Sequence, residues 1–263
     1  MIDINNPAGR YYEILRRAKG KQDDLKVRQV WAVVLSEDES DDSAITKKVI
    51  ELYQLGEEVK SLIRMSEGIN EELYLSSFPQ IEKAIFPLNL NSTWKPQKQQ
   101  LTDGALTRLQ FCSEFLSSIY TEEQLQKEDL EMITTLIEQL FASVIDSSLE
   151  GGIRLTLLEE IERLRTALSM YKIKGAKGLK QSLQSTIGMV VANQADLTKA
   201  AESNADVIER LGQLVDKIDS FTAKALQVHR VLTKPVQFLL GLVASDQNSD
   251  APDKEETTDD SEA

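Results

Sequence analysis

The chain of 263 residues has one cysteine, one histidine, six prolines and only 6% aromatic residues. Each shortage excludes something. Cys112 stands alone, so neither an intrachain disulfide nor a cysteine metal cluster can form, and a reducing, cytoplasmic setting fits. His229 is the single histidine, which removes metal sites built on several histidines and leaves it as the one base for Ser-His-Asp or Cys-His chemistry. Its place beside Val228 reads as a flanking helix position instead. The start, MIDINNPAGR, lacks an apolar signal core. The most apolar late run, Val236–Ala244, falls well short of the roughly 20 residues that span a bilayer.

Chemical signatures are equally sparse. Gly175-Ala-Lys-Gly178-Leu-Lys180 has the look of a phosphate loop without its spacing or preceding strand. The acidic loop Ser36–Ser43 has no glycine at the sixth position of a calcium loop. Glu159, Glu160 and Glu162 lack the Glu-x-x-His pairs of a di-metal bundle, and Arg163 and Arg165 beside them suggest a salt-bridged outer face. No catalytic, cofactor or metal residue is assigned on these grounds, and no family resemblance is carried by any motif.

What is present favours helices: Leu, Glu, Gln, Lys, Ala and Ser dominate. The net charge is −13, of which the tail Asp246–Ala263, with eight acids and one lysine, supplies −7. Such a tail reads as a solvating, disordered segment, and the overall acidity argues against nucleic acid as a specific partner.

The strongest pattern lies in Asn193–Lys234. Asn204, Val207, Leu211, Leu214, Ile218, Phe221, Ala225, Val228 and Leu232 recur at spacings of three and four. This predicts one coiled-coil-like seam on a helix of roughly 38 residues, about 57 Å long, ended by Pro235. Heptad spacing also runs through Leu130, Ile133, Ile137, Leu140 and Val144, and through Leu157, Ile161, Leu164, Leu168 and Tyr171. Asn6-Pro7 opens a first helix, Ser43 a third, and Thr121-Glu-Glu-Gln124 forms a capping box. Gly151-Gly152 reads as a helix break.

The expected fold is therefore all-α: an elongated helical bundle with a hairpin or three-helix unit over 1–76. A proline- and asparagine-containing connector spans 77–100, the main bundle 101–245 and the acidic tail 246–263. Trp94 is expected to pin the connector to a body. Asn204 reads either as a polar seam residue that fixes register or as a frayed first turn. One local feature runs against the charge balance. No acid occurs between Glu162 and Asp196, while Lys172, Lys174, Lys177 and Lys180 fall inside that gap.

Functionally, the expectation is a non-enzymatic protein–protein interaction module: adaptor, scaffold or regulatory subunit. It would pair with another protein or a second copy through the seam Val207, Leu211, Leu214, Ile218 and Phe221. The alternative is a membrane-active protein using the basic, glycine-containing segment 172–192, with Leu179, Leu183, Ile187 and Val191 entering lipid. A carboxylate- and lysine-based enzyme is a third reading, with no site located.

Overall fold

A computed structural model describes residues 4–120 and 122–226. The described residues form twelve helices and no strand. These are α1 (Pro7–Lys19), α2 (Val27–Leu35), α3 (Asp42–Arg64), α4 (Glu71–Leu75), α5 (Phe78–Ile85) and α6 (Lys95–Gln100). They continue with α7 (Asp103–Ser117), α8 (Lys127–Asp146), α9 (Gly151–Ser169), α10 (Tyr171–Ala192), α11 (Gln194–Ala201) and α12 (Ala205–Ala225). The all-α bundle is what the composition and periodicity predict. The acidic tail, His229 and Pro235 lie outside the described residues.

Two apolar cores result. The first gathers α1 to α7 around Tyr11, Trp31, Leu52, Phe78 and Leu109. Asn6 starts it: its side-chain oxygen accepts the Gly9 N–H at 2.9 Å, while its amide donates to the Ser113 carbonyl on α7 at 3.1 Å. One side chain thus caps α1 and ties it to α7. Gly56 on α3 permits the close approach of α1, since a methyl group there would sit 2.9 Å from the Tyr11 hydroxyl. The second core is made by α8, α9, α12 and most of α10, around Ile137, Leu157, Leu183, Leu211 and Leu214.

Four details differ from the sequence reading. The segment 77–100 is built into the first core rather than spanning between bodies. Phe78, Ile81 and Ile85 are buried, and Trp94 is fully enclosed, donating its indole N–H to the Ala18 carbonyl at 3.1 Å and meeting Trp31 edge-on at 5.4 Å. Trp94 therefore pins this stretch as expected. Helix α7, placed by its spacing with the C-terminal bundle, packs on α1. Gly151-Gly152 opens α9 instead of breaking a helix; the break is the turn just before it.

The fourth difference concerns the long helix expected over 193–234. It is cut at Glu202–Asn204 into α11 and α12. Asn204 leaves helical geometry at φ −138° and keeps its side chain buried. Its oxygen accepts from the Ser148 N–H at 2.9 Å, and its amide donates to Ala200 and Ser203. The residue at which the helix is interrupted thus fastens the start of α12 to the α8–α9 turn. On α12, Val207, Leu211, Leu214, Ile218 and Phe221 are all buried against α8 and α10 of the same chain. Replacing Leu214 and Ile218 together by Asp should abolish the helical signal of the second core in circular dichroism, since buried charge costs several kcal/mol. A double variant with native helicity and melting temperature would refute this packing.

Candidate functional site

The two cores meet at one charged junction. Arg10 of α1 and Glu122, in the extended link between α7 and α8, are both more than nine-tenths buried. They pair at 2.9 Å. Arg10 also donates its Nε–H to the Ile173 carbonyl on α10 at 3.1 Å, and the other Glu122 oxygen accepts the Ala176 N–H. Three chain segments far apart in sequence are thereby closed on each other by charge-assisted hydrogen bonds.

Gly175 makes this approach possible. It holds φ +64° and ψ −161°, a conformation essentially reserved for glycine, and it kinks α10 there. A Cβ at this position would collide with the Glu122 carboxylate and the Arg10 guanidinium. Beyond the kink α10 changes allegiance. Met170 and Ile173 belong to the first core, Leu179, Leu183 and Val190 to the second.

The junction also accounts for the start of α8. The capping box at 121–124 predicts a helix there, yet α8 begins at Lys127. Glu122, the first glutamate of that box, is turned to Arg10 and Ala176 instead. The Leu125 N–H donates to the Tyr171 hydroxyl at 2.8 Å, so the link crosses α10 extended. Burial pushes the nearby Tyr120 phenol up to about 12, with Glu122 adding to the rise and Arg10 opposing it. Beside the pair lies a cavity of about 240 Å³, walled by Ile4, Ile14, Leu125, Leu130 and Tyr171, with Glu13 and Glu123 among its polar residues.

The basic segment flanks this junction and faces α3. Lys174 reaches Glu51 at 2.8 Å, Lys177 reaches Glu58 at 2.5 Å, and Lys172 donates to the Ser36 hydroxyl at 3.0 Å. Lys180 is half-buried on the same helix. The local excess of positive charge is thus set against acids of the first core. Each partly exposed pair contributes about 0–1 kcal/mol, so their role is alignment more than stability. Leu179 and Leu183, the apolar face of the membrane reading, are buried in the second core, whereas Val191 is exposed. Among the described residues no helix is long and apolar enough to cross a membrane.

The charged groups around Glu160 and Arg165 have structural partners. Glu160, buried, accepts from Thr186 at 2.8 Å and from Arg163 at 2.8 Å. Arg165 spans Glu138 and Glu162 and lies over the Phe141 ring. These are the salt bridges anticipated around Glu159–Arg165, with Glu160 turned inward. Among the described residues no cluster of His, Cys, Asp or Glu has the grouping of a metal site.

On the outer side of the first core lies a patch of another kind. Leu73 of α4 and Phe111 of α7 are each about half exposed, with Ile119 just beyond α7 also open. The half-buried rings of Tyr74 on α4 and Phe115 on α7 meet nearby, with centroids 5.8 Å apart. Arg108 holds the two helices together by donating to the Leu73 carbonyl at 2.7 Å. Spacing alone did not isolate this patch, because Phe111, Phe115 and Ile119 overlap the buried row Leu109, Cys112 and Leu116 on α7.

Two measurements test the junction. Glu122→Gln should destabilise the chain by about 3–5 kcal/mol in urea titration, because it removes the counter-charge of a buried guanidinium. Gly175→Ala should destabilise it as well, through strain and collision together. Midpoints unchanged in both would dissolve the assignment. Separately, burial pushes the Cys112 thiol up to about 12, so it stays protonated at neutral pH. Because the thiolate is the nucleophile, native protein should be inert to iodoacetamide at pH 7–8 and react fully once unfolded.

Comparison with known proteins yields no relative from which to transfer a role: no protein-family model, curated protein or solved structure matches this chain.

Proposed function

We propose that the chain is a non-enzymatic helical interaction module, an adaptor, scaffold or regulatory subunit acting in the cytoplasm. In this reading its contact face is the α4–α7 patch and not the α12 seam. The observation that carries it is the exposure of Phe111 and Leu73, each 52% open, on a surface braced from beneath by Tyr74 and Phe115. A few anchor side chains, often aromatic, supply most of the binding energy at protein interfaces.

The five seam residues are covered by the chain's own helices, so their burial is met without a partner. The Cys112 thiol is held neutral, and Glu122 and Glu160 are closed by cations and hydrogen-bond donors. Those groups hold the scaffold together, which supports a role in binding rather than turnover. The partner is another protein or a second copy of this chain.

A photoreactive residue at Phe111 should capture one discrete protein, or a second copy, from cells of the source organism. The same residue at exposed Thr135 on α8 should not. Phe111→Asp with Leu73→Asp should abolish the capture while shifting stability by no more than about 0.5 kcal/mol, as exposed positions do. Equal, diffuse capture at positions 111 and 135 would remove this face from the reading.

A further inference from the structure

The cavity at the junction is mostly apolar inside, yet two of its walls carry hydrogen-bond donors with nothing to receive them. Arg17 of α1 is a half-buried wall residue. The other two cations in the last turn of α1 each have a carboxylate, Arg16 on Glu13 and Lys19 on Asp103. Arg17 has neither an ion pair nor a hydrogen bond among the described residues. Tyr171 is a second such wall. Its hydroxyl oxygen accepts the Leu125 N–H, and its own proton is donated to no group among the described residues. The acids of the wall do not answer Arg17. Glu13 is held by Arg16, Glu122 by Arg10 and the Ala176 N–H, and Glu123 is exposed. A guanidinium beside apolar walls is best matched by an anion in hydrogen-bonding geometry. The chain carries −13 overall, so its general field attracts cations, and any preference for an anion here is local.

We propose that this cavity binds a small amphipathic monocarboxylate. Arg17 and the Tyr171 hydroxyl receive its carboxylate, and Ile14, Leu125 and Leu130 receive its hydrocarbon. Size fixes the class. An apolar protein cavity of about 150 Å³ holds one benzene, so the 240 Å³ here hold a body of about ten non-hydrogen atoms. A medium-chain fatty acid or an arylalkyl carboxylate has that size, whereas a membrane lipid or a nucleotide is too large. Such a ligand touches α1 through Ile14, the extended link through Leu125, α8 through Leu130 and α10 through Tyr171. It thereby ties the two cores across the same junction as the Arg10–Glu122 pair. The site goes beyond the interaction reading and is independent of the α4–α7 face.

The test uses the full chain, carbon-13-labelled at its Ile and Leu methyl groups, with octanoate as the probe at neutral pH. Titration calorimetry should show a single site with Kd on the order of 0.1 mM. Intermolecular nuclear Overhauser effects from the octanoate chain should fall on Ile14, Leu125 and Leu130. Octylammonium, with the same chain and the opposite charge, should bind about tenfold more weakly, the worth of a hydrogen bond to a charged group. Arg17→Gln should weaken octanoate binding by about the same factor and erase the preference over octylammonium. Its melting temperature should be unchanged, because Arg17 has no partner to lose. Four results would each overturn the proposal. They are no saturation by about 1 mM octanoate, Overhauser effects confined to other residues such as Leu73, octylammonium bound as tightly as octanoate, and an affinity unchanged in Arg17→Gln.

Discussion

Everything at the centre of this molecule depends on one buried ion pair. Burying the Arg10 guanidinium and the Glu122 carboxylate costs several kcal/mol per ion unless geometry and further hydrogen bonds offset it. The Ile173 carbonyl and the Ala176 N–H supply those bonds, and both come from the two turns that bracket Gly175. The requirement is reciprocal. The kink in α10 presents the carbonyl and the N–H to the pair, and the pair gives the kinked backbone partners it would otherwise lose. α1, the 122–126 link and α10 are held to one relative position by this arrangement, with the lysine–glutamate contacts to α3 setting the angle around it.

Local rules made most of the helices legible. Asn6-Pro7 states a helix start in two residues, and the structure uses both. The spacing of Ile45, Val49, Leu52, Val59 and Ile63 gives α3 nearly to its ends, although Asp41 and not Ser43 provides the cap. Periodicity is silent on which core a helix joins. α7 carries an apolar face as good as that of α8, and only the Asn6–Ser113 contact and the fit against Tyr11's helix decide its side. The long helix expected over 193–234 is interrupted at Asn204 for a related reason. A polar residue at a seam position has two uses, and the Ser148 N–H, 56 positions away, settles which applies.

The candidate site was still less visible. Its parts are a single arginine in α1, a single glutamate in what looks like a capping box, and a glycine in a basic turn. None of them is unusual alone, and they lie more than fifty positions from one another in the chain. The one signal that did point to the region was the acid-free run containing Lys172, Lys174 and Lys177. Its meaning is complementarity to Glu51 and Glu58 of α3, which sequence proximity could not suggest.

The division of α10 between the cores has a consequence for synthesis on the ribosome. The first core takes Met170 and Ile173 from it, and Arg10 waits for a carboxylate 112 positions downstream. At roughly 5–20 residues per second, some 6–22 s separate the emergence of the two charges. During that interval α1 is complete yet its guanidinium has no counter-ion, and the face of the first core that Ile173 covers stands open to solvent. The N-terminal body is thus finished only after the start of the C-terminal one has been made, so the two bodies mature as a single nascent unit instead of one after the other.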